Sequence, residues 1–116
     1  MKHTVVFDFD GVIHSYKSGW KGATEIPDPP VPGIKEAIDK ISENFYVVVV
    51  STRCASPGGT EAIQDWLDKD GIIVEDIVAE KPPAVCYVDD RAICFDGNAA
   101  ALPGLVENFK AWWEHQ

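Results

Sequence analysis

The run Phe45-Tyr-Val-Val-Val-Val50 constrains this chain more than any other feature. Six such residues are too few to cross a bilayer, which takes about 20 in a helix. They are mostly β-branched, suit a pleated sheet, and show no alternation of apolar with polar, so neither face of the strand meets water. That is the pattern of a central strand in a parallel sheet covered on both sides, read here as Phe45–Ser51. Thr4–Asp8 reads as a first strand, Ile72–Ala79 as a third and Ala84–Asp89 as a fourth. Ile93–Phe95 reads as a short fifth, stopped by the turn signal Asp96–Gly97. Between the strands, Ile34, Ala37, Ile38 and Ile41 recur at helical spacing after Pro32–Gly33. Ile63, Trp66 and Leu67 mark a second helix, with Thr60 as its N-cap and Gly71 near its end. Leu105, Val106, Phe109, Trp112 and Trp113 stripe a third, which reads as core. Strands alternating with helices predict an α/β fold: a central parallel sheet with helices on both faces.

A chain of 116 residues holds one domain, residues 1–116, and buries a core without staples. Its 46% hydrophobic and 25% charged residues exclude a disordered acidic tail or a collagen-like repeat. A net charge of −9 argues against broad capture of nucleic acid. The N-terminal apolar run, Val5–Phe7, is too short for a signal peptide, so the expected location is cytoplasmic, with no membrane partner. Cys54, Cys86 and Cys94 form no C-x-x-C pair and are odd in number, which fits free thiols in a reducing compartment.

Regularity breaks at Gly11–Val31, which carries Gly19, Gly22 and the proline-rich run Pro27–Pro32. It reads as a flap inserted straight after the first strand. That strand ends in Asp8-Phe-Asp-Gly11, the second in Ser51-Thr-Arg53 and the fourth in Asp89-Asp-Arg91, while Glu80-Lys-Pro-Pro83 follows the third. Singly, each has a plain structural explanation: a turn, a helix cap, a solvated lysine. Together they describe a site, because strand ends of a parallel sheet meet in one crevice. Four carboxylates crowded there repel one another, and a divalent cation removes the conflict. An oxygen-only donor set suits Mg²⁺, which takes its remaining ligands from water and a substrate phosphate.

Four segments, VVFDFDGVI (Val5–Ile13), VVVVST (Val47–Thr52), Lys81 in EKPPA and YVDDRA (Tyr87–Ala92), resemble the motifs of the haloacid dehalogenase superfamily, in that family's order. The resemblance spans nearly the whole chain and implies a three-layer Rossmann-like fold and an Mg²⁺-dependent phosphatase. It assigns Asp8 as the nucleophile that forms an aspartyl-phosphate, and Asp10 as the general acid and base. Ser51 matches the hydroxyl that bonds the phosphoryl group, and Lys81 the cation that steadies it. Asp8, the Asp10 backbone carbonyl and Asp89 would hold the metal, with Asp90 binding it or orienting its waters. The acid at Asp10 favours the phosphatase branch over the dehalogenase branch.

Larger members of that superfamily carry a cap domain after the first motif or between the second and third. Here the first gap is Gly11–Pro32 and the second holds one helix, which implies a capless enzyme with an open site and a short flap. The flap offers His14, Tyr16, Lys17, Trp20 and Lys21, and an aromatic face such as Trp20 can stack on a base. The segment from Ser51 to Thr60 also resembles polynucleotide kinase-phosphatases, which makes Arg53 a further phosphate contact. Gly11, Thr52, Arg53 and Trp20 are thus the candidate substrate contacts. The expected partner is a phosphorylated substrate: a nucleotide, a polynucleotide end, a sugar phosphate or a phosphoprotein. A phosphoacceptor switch resembling receiver domains is disfavoured by motif order, since a receiver places its acceptor Asp on a middle strand and its Lys last. A non-catalytic phosphate- or partner-binding module is disfavoured because no motif position is damaged.

Overall fold

Period-two alternation divides the apolar runs between the two faces of a sheet. The computed structural model describes residues 2–115. Strands β1 (His3–Asp8), β2 (Phe45–Val50), β3 (Asp76–Val78) and β4 (Cys86–Val88) pair in parallel, in the order β3-β2-β1-β4. Val5 lies beside Val47 and Phe7 beside Val49 in the register of β1 and β2. These four point into the larger core with Phe9, Ile13 and Ile72. Val6, Val48 and Val50 point the other way and pack with Val78 and Ala84.

Helices α1 (Ile34–Ile41) and α2 (Gly59–Lys69) bring Ile38, Ile63, Trp66 and Leu67 to the larger core. Both lie on that face because β1 to β2 and β2 to β3 step the same way, and right-handed crossovers keep their helices on one side. The return from β3 to β4 passes both earlier strands within residues 79–85 and contains no helix. The sequence predicts helices on both faces. Instead, among the described residues, the hydrophobic cluster of the second face contains no helical side chain.

Three smaller expectations are corrected. Ile93–Phe95 is not a strand, and Phe95 is exposed. Helix α2 is capped not by Thr60 but by Gly58, at φ 78°. Its start is fixed by packing, because any side chain on Gly59 would overlap the Arg53 carbonyl. Gly71, at φ 67°, ends that helix as expected, with the Ile72 N–H donating to the Leu67 carbonyl at 3.0 Å. The third helix, α3, spans only Leu102–Glu107 and stops where the Asn108 amide bonds the Gly104 carbonyl. Its apolar stripe is not core: Leu105, Val106, Phe109 and Trp112 are all exposed. Trp112–His115 instead form a separate 3-10 turn. No described helix is long and apolar enough to cross a membrane.

Candidate active site

The chain leaves β1 through a tight reversal. The Phe9 N–H still donates to Val50, while the Phe9 carbonyl accepts from the N–H groups of Ile13 and His14, both at 3.0 Å. Gly11 sits in this turn at φ 86°, and its N–H donates to the His14 carbonyl at 2.8 Å. Only glycine fits, since a side chain there would overlap the Asp90 carboxylate and the Trp113 indole.

This reversal fixes Asp10 against two buried partners. The Arg53 Nε donates to Asp10 Oδ2 at 2.9 Å and its Nη2 to Oδ1 at 3.0 Å, a bidentate pair. His14 Nδ1 lies 2.8 Å from Asp10 Oδ1. His14 Nε2 accepts the Asp28 backbone N–H at 3.1 Å, so the neutral ring carries its proton on Nδ1 and donates it to Asp10. Burial pushes the Asp10 carboxyl up, but the His14 and Arg53 donors outweigh it and hold the group below the usual carboxylate range. The remaining guanidinium nitrogen, Nη1, donates to the carbonyls of Gly22, Ala23 and Glu25 at 2.8, 3.0 and 3.1 Å. Arg53 therefore ties the acid to the flap. It is fully buried with every nitrogen engaged, so it holds Asp10 from behind and does not itself line the cavity.

Asp8 has the opposite environment. One oxygen each of Asp8, Asp89 and Asp90 lies within 4.8 Å of the others. Burial, the adjoining Asp90 carboxyl and the charges of Asp89, Asp90 and Asp10 push the Asp8 carboxyl up to about 8. Asp89 is held low. Burial opposes this, and is outweighed by the Arg91 N–H at 2.9 Å and Lys81 Nζ at 3.1 Å. Asp90 Oδ1 is buried with no partner among the described residues, while its Oδ2 accepts the Trp113 indole N–H. A raised carboxyl, two neighbouring carboxylates and an orphaned buried oxygen make a donor set that fits a hard divalent cation. Asp8, Asp89 and Asp90 could hold it by their side chains. The Asp10 carboxylate, already engaged, leaves only its backbone carbonyl for that role.

Asp8, Asp10, Tyr16, Trp20, Ser51, Thr52, Asp90 and Arg91 line one cavity of about 130 Å³. Ser51 follows β2, with its N–H bonded to the Val78 carbonyl at 3.0 Å and its Oγ accepting the Arg53 N–H at 3.1 Å. It caps the 3-10 turn Thr52–Ala55 and also lines the cavity. Trp20 lies over the Arg53 guanidinium at 4.7 Å and stays half exposed. Of the expected substrate contacts, Thr52 and Trp20 line this cavity. Gly11 instead borders a neighbouring hollow with Asp89, Asp90 and Trp112. Lys81 is not among the lining residues and reaches Asp89.

His14, Arg91 and the C-terminal tryptophans were not singled out by sequence for the roles they take. His14 carries a signal, its spacing of four from Asp10. The tryptophans carry none, since their helical spacing points to a core they do not join. Trp112 Nε1 donates to the Gly11 carbonyl at 2.6 Å, and the Trp113 ring meets Tyr16 edge-on at 5.2 Å. Tyr16 itself sits at φ 60°, a costly conformation for a non-glycine residue.

No family model and no curated protein matches this chain. A solved structure, a structural-genomics target from Vibrio cholerae, is similar to it with a TM-score of 0.53 and 22% identity, over 95% of this chain and 100% of that one. Likeness at this identity extends to the fold alone, and the shared architecture is a mixed α/β one built on a parallel sheet.

Proposed function

We propose that residues 1–116 form a capless phosphatase of the haloacid dehalogenase type, with Mg²⁺ as cofactor and a phosphomonoester as substrate. The observation that carries this reading is the pairing of opposites at one strand end. Asp8 joins a carboxylate cluster suited to a cation, whereas Asp10, two residues on, is locked to Arg53 and His14. A nucleophile and a proton carrier need different environments, and both open on the cavity that also holds Ser51.

In the first step Asp8, as the carboxylate that a bound cation would favour over its protonated form, forms a bond to phosphorus as the bond from phosphorus to the leaving oxygen breaks, giving an aspartyl-phosphate. Asp10 supplies the proton that the leaving oxygen needs. In the second, Asp10 takes a proton from water, which displaces Asp8 and releases phosphate. The Ser51 hydroxyl donates to a phosphoryl oxygen. A bound Mg²⁺ would neutralise carboxylate and phosphate charge together. Held as a carboxylate, Asp10 is ready for the base step but must gain a proton before the acid step. Leaving groups that need no proton, such as acidic phenols, are therefore turned over fastest. The cavity admits the phosphoryl group and its nearest atoms, so the rest of the substrate lies at the mouth beside Trp20 and Arg91.

The test is a panel of phosphate esters with Mg²⁺ and with EDTA, including p-nitrophenyl phosphate, nucleoside monophosphates, sugar phosphates and 3′-phosphorylated oligonucleotides. Magnesium-dependent release of phosphate is expected. Failure to hydrolyse any ester overturns the reading, and a stable phospho-Asp without turnover would favour a phosphoacceptor switch.

A further inference from the structure

Given the metal reading above, on which this inference rests, we propose that Trp113 is a positioning residue for the metal centre: its indole N–H holds Asp90 Oδ2 and leaves Oδ1 as the free donor. Four observations converge. The Trp113 indole N–H donates to Asp90 Oδ2. Asp90 Oδ1 is buried and has no partner among the described residues. Gly11 lacks a side chain where one would overlap both Asp90 and Trp113, so the reversal after β1 leaves room for this contact. The indole is itself held, by the Tyr16 edge at 5.2 Å and by its neighbour Trp112, which bonds the Gly11 carbonyl at 2.6 Å.

The chemistry of the donor fits the task. An indole N–H donates but cannot accept, so it cannot become a ligand or exchange roles with Asp90. It also carries no charge, so it orients the carboxylate without repelling an incoming cation. Lys81, which bonds Asp89 in the same cluster, does bring a positive charge. Groups that bond the far oxygen of a metal-binding carboxylate fix its orientation, and losing one costs about 10- to 100-fold in metal affinity or activity.

The test measures Mg²⁺ binding by calorimetry, separately from turnover. Trp113→Phe keeps an aromatic ring beside Tyr16 and removes the donor, and about tenfold weaker Mg²⁺ binding is expected. In an Asp90→Ala background the same substitution should change affinity by less than about twofold, because the acceptor of the indole N–H and the carboxylate it orients are already gone. In the unmutated protein, the Trp113 indole N–H resonance should shift with added Mg²⁺ and saturate with the calorimetric curve. This measurement decides the matter if Trp113→Phe does not fold. No Mg²⁺ binding by the unmutated protein overturns the metal reading and this inference together. Binding with an unmoved indole resonance, an unchanged affinity in Trp113→Phe, or an equal loss in both backgrounds overturns the inference alone.

Discussion

Residues 3–78 and residues 79–115 are built to different standards. The first part contributes nearly all of the hydrophobic core, with Ile13, Ile38, Val49, Ile63 and Leu67 fully buried. In the second, β4 is exposed along its whole length, and Val85, Phe95, Leu105 and Val106 face solvent. The Cα radius of gyration, 14.9 Å, exceeds the roughly 13 Å usual for a chain of this length, in keeping with that unequal packing. The site straddles the boundary. Asp8, Asp10, Ser51 and Arg53 stand on the well-packed part, and Lys81, Asp89, Asp90 and Trp113 on the other. On the proposed mechanism the covalent step falls on the well-packed side, while most of the carboxylate cluster sits where the chain has least packing to hold it.

The largest effect expected is at Asp8. Asp8→Asn should abolish phosphate release while leaving the melting temperature near its original value, because the amide is a poor nucleophile but nearly matches the carboxyl in shape. Phosphate assays and thermal melts check both halves, and near-normal turnover would remove Asp8 from its role. Next comes packing: Ile63→Ala should cost about 2–5 kcal/mol in denaturant unfolding. A much smaller loss would mean that the first part is not the stabilising unit.

Magnesium should strengthen the weaker part. A ligand at a hundredfold excess over Kd stabilises the native state by about 2.7 kcal/mol. The melting temperature should therefore rise in Mg²⁺ relative to EDTA, and Asp89→Ala should nearly erase the rise. A full rise in that variant would defeat the metal assignment. The metal-free protein should also respond to pH. The Asp8 carboxyl is raised from 3.8 to about 8 in the folded chain, mainly by burial, so the native state holds a proton that the unfolded chain has lost between those values. Stability should fall as pH rises from about 4 to about 8, and saturating Mg²⁺ should flatten that slope. A metal-free melting temperature that climbs across this window would contradict the Asp8 environment. The smallest effect is expected at Val106, 64% exposed, where Val106→Ser should change stability by no more than about 0.5 kcal/mol. A large loss there would erase the contrast between the two parts.

The same boundary separates what was legible in the sequence from what was not. Where apolar periodicity is answered by burial, as in Phe45–Val50 and in Ile34, Ile38 and Ile41, elements follow from pattern. The strand-end carboxylates were legible too, because parallel strands bring their carboxyl ends to one edge. The stripe from Leu105 to Trp113 misled, because helical spacing records where side chains would point in a continuous helix, and this one stops at Glu107. Periodicity also counts an indole as apolar and is blind to its N–H, the group by which Trp112 and Trp113 reach the site. Arg53 was legible as a charge near phosphate chemistry, but its burial and its five acceptors depend on how the flap folds back, which no local pattern records.

That guanidinium also sets how traffic reaches the cavity. Swinging the flap outward would exchange the Nη1 bonds to three carbonyls for bonds to water, and hydrogen bonds to a charged group are worth about 1.5–3 kcal/mol each. The flap is therefore a fixed wall rather than a door. On the proposed function, an ester would reach the cavity through the gap bordered by Trp20, Thr52 and Arg91, with the flap left in place.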